Sequence, residues 1–465
     1  MRIFEIVLAA LALLTVVTPR GWMGIRTSVG LALLPVGVIH ATVEGWRWQM
    51  VPLYLIGGIL VVVAAWELLS PAPFAYEPAR WLRGIGLLGL ALVVALPAVI
   101  PVWELPDPGG RFGIGTIDLV VGDPDRPDPY DPEGGSRRLN LQIWYPAELA
   151  DQKDPEPWLA NGDIVGPAIA AAFGFPSFAL GHSNLIESHS YRQAAVAGSG
   201  LFPVVVYSHG WTGLRSNGLD QVEALAAAGF IVVAPDHTYG SAATAFPDGE
   251  LVPYEPTALP EFETVPAEVY DEAALLLVAT YAADLLLILD ELERLNGDSG
   301  WLLAGRLDLE RIGLFGHSTG GGAALAACAV DERCDAVLGL DPWVEPVAGE
   351  VLDAGIETPF LAIRSEEWLG YDNDPVLREF ARKSPQTDLL GLIGGGHQDF
   401  TVLPRFSALA VLLDTKGTVS SDRASEIVNS YLVGFFDGYL NGGPGLSAVP
   451  VFEEICVGTC EVATG

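Results

Sequence analysis

The stretch Arg311-Ile-Gly-Leu-Phe-Gly-His-Ser318-Thr-Gly-Gly-Gly322 decides the fold class that this chain predicts. An apolar run ends at Gly316 and a helix-forming run begins at Ala323, so the stretch predicts a strand, a sharp turn and a helix. Ser318 is the centre of a Gly-x-Ser-x-Gly turn, which needs residues without bulk two positions before and after the serine. Gly316 and Gly320 meet that need. The pattern therefore predicts a nucleophilic serine at the end of a strand.

A serine hydroxyl needs a base, usually a histidine that a carboxylate orients, because it is a weak nucleophile at neutral pH. In α/β-hydrolases, which share this turn, the partners follow along the chain as Asp or Glu and then His. His397 is the one histidine after Ser318 in the sequence, and it follows the apolar run Leu389–Ile393 and three glycines. We therefore predict that His397 is the general base, on a loop after the last strand.

The carboxylate has two candidate positions. Residues 336–340 form the predicted strand after the helix of the serine, and Asp341 ends it. Residues 359–363 form the next predicted strand, and a polar loop with four further acids follows: Glu366, Glu367, Asp372 and Asp374. We favour Asp341 because it directly follows a strand, with no loop residues between, whereas the later polar loop is typical of solvent exposure.

An earlier strand, Phe202–Tyr207, runs into the turn Ser-His209-Gly-Trp211. Acyl transfer needs backbone N–H donors directed at the developing oxyanion, one after the nucleophile and one from an early loop. This predicts an oxyanion hole made by the amides of Trp211 and Thr319, with His209 fixing the loop. A helix over 218–228 and a buried strand over 230–234 complete a βαβ unit.

Several segments, in order along the chain, resemble the plasma-type platelet-activating factor acetylhydrolase family and its bacterial relatives, within the α/β-hydrolase superfamily. The matching segments are Leu141–Pro146, Tyr207–Trp211, Ala234–His237, Gly316–Gly321, Leu340–Trp343 and His397–Phe400. The resemblance implies an α/β-hydrolase fold, a mostly parallel sheet flanked by helices. It implies a calcium-independent serine esterase, without a cofactor or metal, that removes short or oxidised acyl chains from phospholipid-like esters. It also favours Asp341 as the acid and Trp211 as the oxyanion-loop residue.

Other functions are compatible with the same residues. A lipase or polyester hydrolase would use the same triad, and an acyltransferase would pass the acyl group to an alcohol instead of water. From a different class, the chain could be a membrane sensor or scaffold whose hydrolase-like domain is inactive. The ordered Ser, Asp and His argue against that last alternative.

The first hundred residues contain four apolar stretches: Ile3–Val17, Ser28–Val43, Val51–Leu69 and Gly84–Trp103. A spanning helix needs about 20 apolar residues. The stretches lack polar faces, and tryptophans stand near their ends, as in an aromatic belt. We predict a four-helix membrane domain, residues 1–104, before the catalytic domain.

Orientation follows from the positive-inside rule. Arg20 and Arg26 lie in the first loop, and Arg80 and Arg83 lie in the third. These loops are therefore predicted to be cytoplasmic, in a bacterial inner or plasma membrane with the catalytic domain outside the cytoplasm. The four cysteines agree, because two local pairs, Cys328-Cys334 and Cys456-Cys460, suit disulfides in an oxidising compartment. Their spacings fit a zinc site poorly, and buried free thiols stay an alternative.

The net charge of −34 lies almost wholly after residue 104, because the first 104 residues hold nearly equal numbers of Arg and Glu. Such acidity excludes nucleic acid as a partner, because its phosphates would be repelled. A Pro-, Gly- and Asp-rich segment is predicted to form a linker over 105–138, in which residues 123–132 hold no regular structure. The catalytic domain is predicted over 139–445 and a tail with a cysteine pair over 446–465.

Overall fold

The computed structural model describes residues 1–70, 80–149, 154–458 and 460. The helices are α1 Ile3–Val17, α2 Met23–Val43, α3 Val51–Leu69, α4 Arg80–Val99, α5 Gly162–Ala172, α6 Leu219–Ala228, α7 Ala267–Asn296, α8 Thr319–Cys328, α9 Gly349–Ala354, α10 Asn373–Lys383 and α11 Ser421–Asn441. The strands are β1 Gly113–Pro127, β2 Ser136–Glu148, β3 Ser190–Arg192, β4 Ala195–Val196, β5 Phe202–Ser208, β6 Ile231–Asp236, β7 Ala243–Ala245, β8 Leu251–Pro253, β9 Leu307–His317, β10 Cys334–Leu340, β11 Phe360–Ser365, β12 Thr387–Leu392 and β13 Ile455–Val457.

One large sheet organises the catalytic domain, in the order β13-β12-β11-β10-β9-β5-β6-β2-β1-β3, with β4 paired to β2. The six strands from β12 to β6 are parallel, and β2 and β13 join them antiparallel on either side. The central strands are almost continuously apolar, as expected for parallel strands that helices cover on both faces. The expected mostly parallel α/β sheet is confirmed.

The strand side chains divide between two cores because successive residues point to opposite faces. Val205 belongs to the core that α6 and α11 cover, whereas Val204 and Val206 belong to the core that α7 and α8 cover. Both cores exclude solvent at these positions, because the three valines are 0% exposed. Both faces of the sheet are therefore covered where the strands lead to the loops at its ends.

The carboxyl ends of the parallel strands meet at one edge, where α/β proteins place their ligand sites. Ser318 follows β9, Asp341 follows β10, and His397 lies on the loop after β12. The three predicted catalytic residues thus lie at the same edge of the sheet.

The N-terminal helices α1 to α4 alternate in direction. Arg47, between α2 and α3, binds Glu5 of α1 at 2.7 Å and donates to the Pro97 carbonyl of α4 at 2.9 Å. The start of α1, the α2–α3 loop and the end of α4 therefore lie at one end of the bundle. Arg26 and Glu67 pair at 3.4 Å at the other end.

The predicted four membrane spans differ in length. Met23–Val43 and Trp48–Leu69 are long and apolar enough to cross a bilayer, whereas α1 and residues 84–99 form shorter apolar helices. Helix α7 also meets the length and composition requirement, but it packs on the sheet through residues such as Leu277 and Ile288. The side chains of Arg20, Arg80 and Arg83, on which the predicted orientation rests, lie outside the described residues.

The structure differs from the predicted linker over 105–138. Strand β1 begins at Gly113 and pairs with β2 over most of its length, so that segment belongs to the sheet. Residues 123–127 continue the strand beyond a shift of register at Asp123, although they were expected to be irregular. The apolar residues before them, including Ile114, Ile117 and Val121, are buried. Their burial favours a strand although prolines follow in the sequence.

The predicted tail also takes part in the sheet, because Ile455–Val457 forms the antiparallel edge strand β13 on β12. Beside this strand, Cys456 forms a disulfide with Cys460, with a Cα–Cα distance of 5.8 Å. Cys328 and Cys334 are joined between α8 and β10. Residues 459 and 461–465 of the predicted tail lie outside the described part of the chain.

Candidate active site

Ser318 occupies a strained turn between β9 and α8. Its φ of 55° and ψ of −122° lie outside the regions that L-residues favour. A Cβ at Gly320 would lie 2.5 Å from the His209 carbonyl oxygen, and one at Gly316 would lie 2.7 Å from the Gly321 nitrogen. Only glycine fits at either position, so the sequence requirement of the turn has a direct steric cause. The turn leaves Ser318 partly exposed at the sheet edge.

Asp341 and His397 are hydrogen-bonded to each other. His397 Nδ1 lies 2.9 Å from Asp341 Oδ2. Because a carboxylate oxygen accepts, Nδ1 carries the proton, and Nε2 is left free to accept one. The Asp341 carboxylate also accepts the Ser365 backbone N–H at 2.7 Å and the Ser365 hydroxyl at 2.6 Å. Burial raises the pKa of Asp341, whereas the two Ser365 donors lower it.

Three of the four other candidate acids are engaged elsewhere, and Asp372 precedes α10. Glu366 accepts the Gly394 N–H at 2.6 Å and Glu367 accepts the His397 backbone N–H at 2.7 Å. Asp374 pairs with the buried Arg364 at 2.6 Å. Asp341 is therefore the carboxylate that the structure brings to the His397 imidazole.

The imidazole of His397 lies between two aromatic rings. The Trp368 indole stacks on it with centroids 4.3 Å apart and an interplanar angle of 6°, and the His317 ring lies 4.4 Å away. His317 also hydrogen-bonds the His397 carbonyl through Nε2, at 3.0 Å. Burial lowers the pKa of His397 to about 4, so the ring is neutral near pH 7 and able to accept a proton.

Sequence reasoning missed Trp368, Ser365 and His317 as neighbours of the base. Ser365 ends β11, and its position at a strand end next to β10 was a usable signal. Trp368 lies on the loop after β11 that was predicted to be solvent-exposed, and no sequence pattern there indicates a stacking partner.

The loop after β5 lies against the serine turn. A Cβ at Gly210 would lie 3.1 Å from Ser318 Cβ, so the two backbones are in close approach. Thr212, with a φ of 55°, donates its N–H to the Gly240 carbonyl at 2.8 Å. Within the described residues, the amides of Trp211 and Thr319 have no hydrogen-bond acceptor. Unpaired amides at these two positions are what the predicted oxyanion hole requires.

A buried polar network supports that loop. His209 Nδ1 lies 2.7 Å from the Gly210 carbonyl, while His209 Nε2 accepts the His237 backbone N–H at 3.1 Å. Because Nε2 accepts a proton donor, Nδ1 carries the hydrogen and donates to Gly210. Burial lowers the pKa of His209 far below its usual range, which keeps this tautomer neutral.

His237 extends the network into a second Ser–His–Asp arrangement. Its Nδ1 lies 2.8 Å from Asp284 Oδ2, and its Nε2 lies 2.9 Å from the Ser208 hydroxyl. Arg137 binds Asp284 through two nitrogens, at 3.0 and 2.6 Å. Burial opposes ionisation, but Arg137 and His237 hold the pKa of Asp284 below its usual range. All four side chains are buried, so this arrangement is closed to substrate.

A cleft of about 980 Å³ adjoins the base. Its aromatic walls are Phe262, Tyr270, Trp343, Trp368 and Tyr371, and its carboxylates are Asp271, Glu272, Glu345, Glu367 and Asp372. One of its walls contacts the serine turn, because the Trp343 backbone N–H donates to the Ser318 carbonyl at 2.9 Å. Its described lining holds no lysine or arginine. The cleft is therefore apolar-walled and acidic.

One group of side chains in the described residues has the composition of a metal site, Glu5, His40 and Glu44, at the end of the helix bundle. Arg47 lies 2.7 Å from Glu5, and Arg2 lies 3.0 Å from Glu5 and 3.9 Å from Glu44. Two guanidinium groups already balance the two carboxylates, so the arrangement is that of an ion-pair cluster.

The sequence profile of the family described as "Platelet-activating factor acetylhydrolase, isoform II" matches residues 104–255 and 296–442. A platelet-activating factor acetylhydrolase of Cavia porcellus is 25% identical over 355 residues, which cover 72% of this chain and 78% of that protein. The platelet-activating factor acetylhydrolase of Bos taurus is 24% identical over 423 residues, which cover 82% of this chain and 86% of that protein. The profile match begins before β1, in agreement with the place of β1 in the sheet.

A solved ferulic acid esterase from Streptomyces cinnamoneus has the same fold. It superimposes with a TM-score of 0.62 at 26% sequence identity, covering 77% of this chain and 99% of that one. Nearly the full length of that esterase is therefore matched by this chain. The chain is a carboxylic ester hydrolase, and it belongs to the platelet-activating factor acetylhydrolase isoform II family.

Proposed function

We propose that this protein hydrolyses short-chain esters by two-step acyl transfer with Ser318 as nucleophile, His397 as base and Asp341 as the orienting acid. The observation that carries the proposal is the 2.9 Å contact between His397 and Asp341 at the sheet edge that also holds Ser318. No other histidine among the described residues combines a carboxylate partner with a position beside an exposed serine turn.

His397 takes the proton from the Ser318 hydroxyl as the oxygen attacks the ester carbonyl. The amides of Trp211 and Thr319 stabilise the oxyanion, and Asp341 stabilises the imidazolium that forms. His397 then returns the proton to the departing alcohol. A water molecule, deprotonated by His397, releases the acid from Ser318 and restores the enzyme.

An ester series tests the proposal. Hydrolysis of p-nitrophenyl esters from acetate to palmitate should be fastest for the short chains, because the family resemblance implies short acyl groups. An optimum at long chains would favour a lipase, and product analysis with an added alcohol would detect acyl transfer. A protein that hydrolyses none of these esters and is not labelled by a fluorophosphonate would be the inactive scaffold.

The membrane part of the proposal is that α1 to α4 span a bilayer and hold the catalytic domain outside the cytoplasm. It is supported by the apolar surfaces of the helices and by the two cysteine pairs. A membrane-impermeant protease added to intact spheroplasts should cleave the catalytic domain. Protection of that domain until the membrane is opened would contradict the orientation.

The pH dependence follows from the state of His397, which must be neutral to accept the serine proton. Its pKa is lowered from 6.5 by burial, so lowering the pH should inactivate the enzyme only below pH 6.5. We expect the acid limb of kcat/KM, measured with p-nitrophenyl acetate, to have its midpoint below that value. A midpoint at or above pH 6.5 would show that the base is less desolvated than the structure indicates.

The acidic cleft predicts discrimination against anionic esters. Mono-p-nitrophenyl glutarate should react about tenfold more slowly than p-nitrophenyl valerate, and the difference should shrink with added salt. The double variant Glu345→Gln, Asp271→Asn should reduce the discrimination, while Asp353→Asn, which does not line the cleft, should not. Equal rates for the two esters in the unmodified protein would mean that the acyl group does not enter this cleft.

A further inference from the structure

The aromatic cleft beside the catalytic base contains carboxylates that no cation of the described residues balances. These carboxylates are Asp271, Glu272, Glu345, Glu367 and Asp372. None of them forms an ion pair with a lysine, arginine or histidine in the part of the chain that the structure describes. By contrast, Asp374, two residues after Asp372, pairs with Arg364 at 2.6 Å and with Arg378 at 3.0 Å. The cations of this region are therefore used next to the cleft and not in it.

The carboxylates come from separate segments that line the same space. Asp271 and Glu272 lie near the start of α7, Glu345 lies on the loop after β10, and Asp372 immediately precedes α10. Burial raises the pKa of Glu345, a hydrogen bond from the Trp343 indole N–H at 3.2 Å lowers it, and the charges of Asp372 and Asp271 raise it. Like charges therefore interact across the cleft, and a cation between them would relieve their repulsion.

Aromatic rings stand at steep angles around this space. The Phe262 and Tyr270 rings have centroids 5.0 Å apart and an interplanar angle of 86°, and the Tyr270 centroid lies 6.3 Å from that of Trp343. Trp368 and Tyr371 lie 6.4 Å apart at 69°. Phe262 and Tyr371 are 60 and 55% exposed, so a ligand can reach them. The faces of aromatic rings attract cations, and several rings turned toward one another form the cages that hold quaternary ammonium groups.

We propose that the cleft binds an ammonium group carried by the acyl part of the ester, so that the enzyme prefers acyl groups with a positive charge, such as amino acids. This inference rests on the proposed acyl transfer to Ser318. The acyl part stays bonded to Ser318 when the alcohol leaves, and Trp343 in the wall of the cleft is hydrogen-bonded to that residue. A phosphate on the ester would be repelled by the same carboxylates, which separates this preference from recognition of a zwitterionic phospholipid head group.

Part of the site lies outside the residues that the family profile matches. Phe262, Tyr270, Asp271 and Glu272 lie between the two matched stretches, which end at residue 255 and resume at residue 296. These four residues occupy the loop before α7 and the first two turns of that helix. The preference for a positive charge therefore depends on residues that belong to this chain and not to the family profile.

Two p-nitrophenyl esters of the same shape test the proposal on the full chain. In the 4-(trimethylammonio)butanoate the acyl group ends in a quaternary ammonium, and in the 5,5-dimethylhexanoate a tert-butyl group replaces it. Each kcat/KM is divided by the rate constant for hydrolysis of the same ester by hydroxide, because the charge also activates the carbonyl. We expect the corrected ratio to favour the cationic ester by about tenfold at low salt and to fall as salt is added. Hydrolysis of both esters with a corrected ratio near one would overturn the preference and leave the proposed function intact.

Variants separate the cleft from general attraction by an acidic protein. Glu345→Gln and Asp372→Asn should each lower the corrected ratio about threefold, and so should Tyr270→Leu, which removes a ring but keeps an apolar side chain. The neutral ester reports whether each variant is folded and active. Asp353→Asn removes a charge that does not line the cleft and should leave the ratio unchanged. An equal decrease in Asp353→Asn and Glu345→Gln would assign the preference to net charge and overturn the cleft as its site.

A second pair of esters tests the placement of the acyl part. Choline acetate and 3,3-dimethylbutyl acetate differ by the same replacement on the alcohol side, and their hydrolysis is followed by titration of the released acid. We expect the corrected ratio for this pair to stay near one. A preference for the cation in this pair alone would overturn the acyl assignment. Absence of hydrolysis of all four esters by the unmodified protein would instead overturn the proposed function.

Discussion

Replacing Ser318 by alanine is expected to lower kcat/KM for p-nitrophenyl acetate by about 10³-fold or more, because no acyl-enzyme can form without the hydroxyl. The residual rate would come from the oxyanion-hole amides and substrate binding alone. Labelling by a fluorophosphonate should disappear in the same variant. Thermal unfolding should change little, because Ser318 is at the surface of the turn and the glycines around it maintain the fold.

The matched control is Ser208→Ala, because Ser208 belongs to the second Ser–His–Asp arrangement with His237 and Asp284. Ser208 is 0% exposed, so no ester can reach it. We expect this variant to keep phosphonate labelling and to retain activity within about tenfold, since one hydrogen bond of a positioning network is lost. Loss of labelling in Ser208→Ala with retention in Ser318→Ala would reverse the assignment of the nucleophile.

The second large effect is expected from Asp284→Asn, measured as stability. Asp284 balances the fully buried Arg137 and also holds the His237 ring. Removing its charge leaves a buried guanidinium whose one remaining close anion, within the part of the chain that the structure describes, is Asp128 at 2.8 Å. Breaking a buried ion pair from one side costs about 3–5 kcal/mol, so the midpoint of denaturant unfolding should fall markedly.

Asp353→Asn provides the comparison for that measurement. Asp353 pairs with Lys383 at 3.1 Å, but its side chain is 86% exposed. Exposed pairs contribute less than about 1 kcal/mol, so this variant should unfold almost as the unmodified protein does. Similar midpoints for the two variants would mean that Arg137 finds another partner or solvent when Asp284 is neutralised.

The parts of the site that could be predicted from sequence are those that local chemistry determines. The glycines of the serine turn, the apolar strand before it and the single downstream histidine are readable without tertiary information. The structure brings Asp341 to that histidine, as the strand-end argument favoured. Periodicity also predicted the helix over 218–228, which begins one residue later at Leu219.

The missed parts depend on pairings between distant segments. Proline and aspartate content suggested a linker where β1 forms, because the pairing with β2 that stabilises the strand is invisible in composition. The stack of Trp368 on His397 and the bond of His237 to Asp284 each join separate elements. No local pattern distinguishes these residues from ordinary loop and helix residues.

The edge strand β13 has a consequence for the order in which the enzyme is assembled. Glu454, just before β13, supports the start of the His397 loop, because its carbonyl accepts the Ile393 N–H at 2.8 Å. Synthesis runs from the N- to the C-terminus, so this support emerges after every other element that the structure describes. A nascent chain therefore contains the Ser318 turn before the support of the His397 loop has been synthesised. The loop of the base therefore gains this support only after the other strands of the sheet have been synthesised.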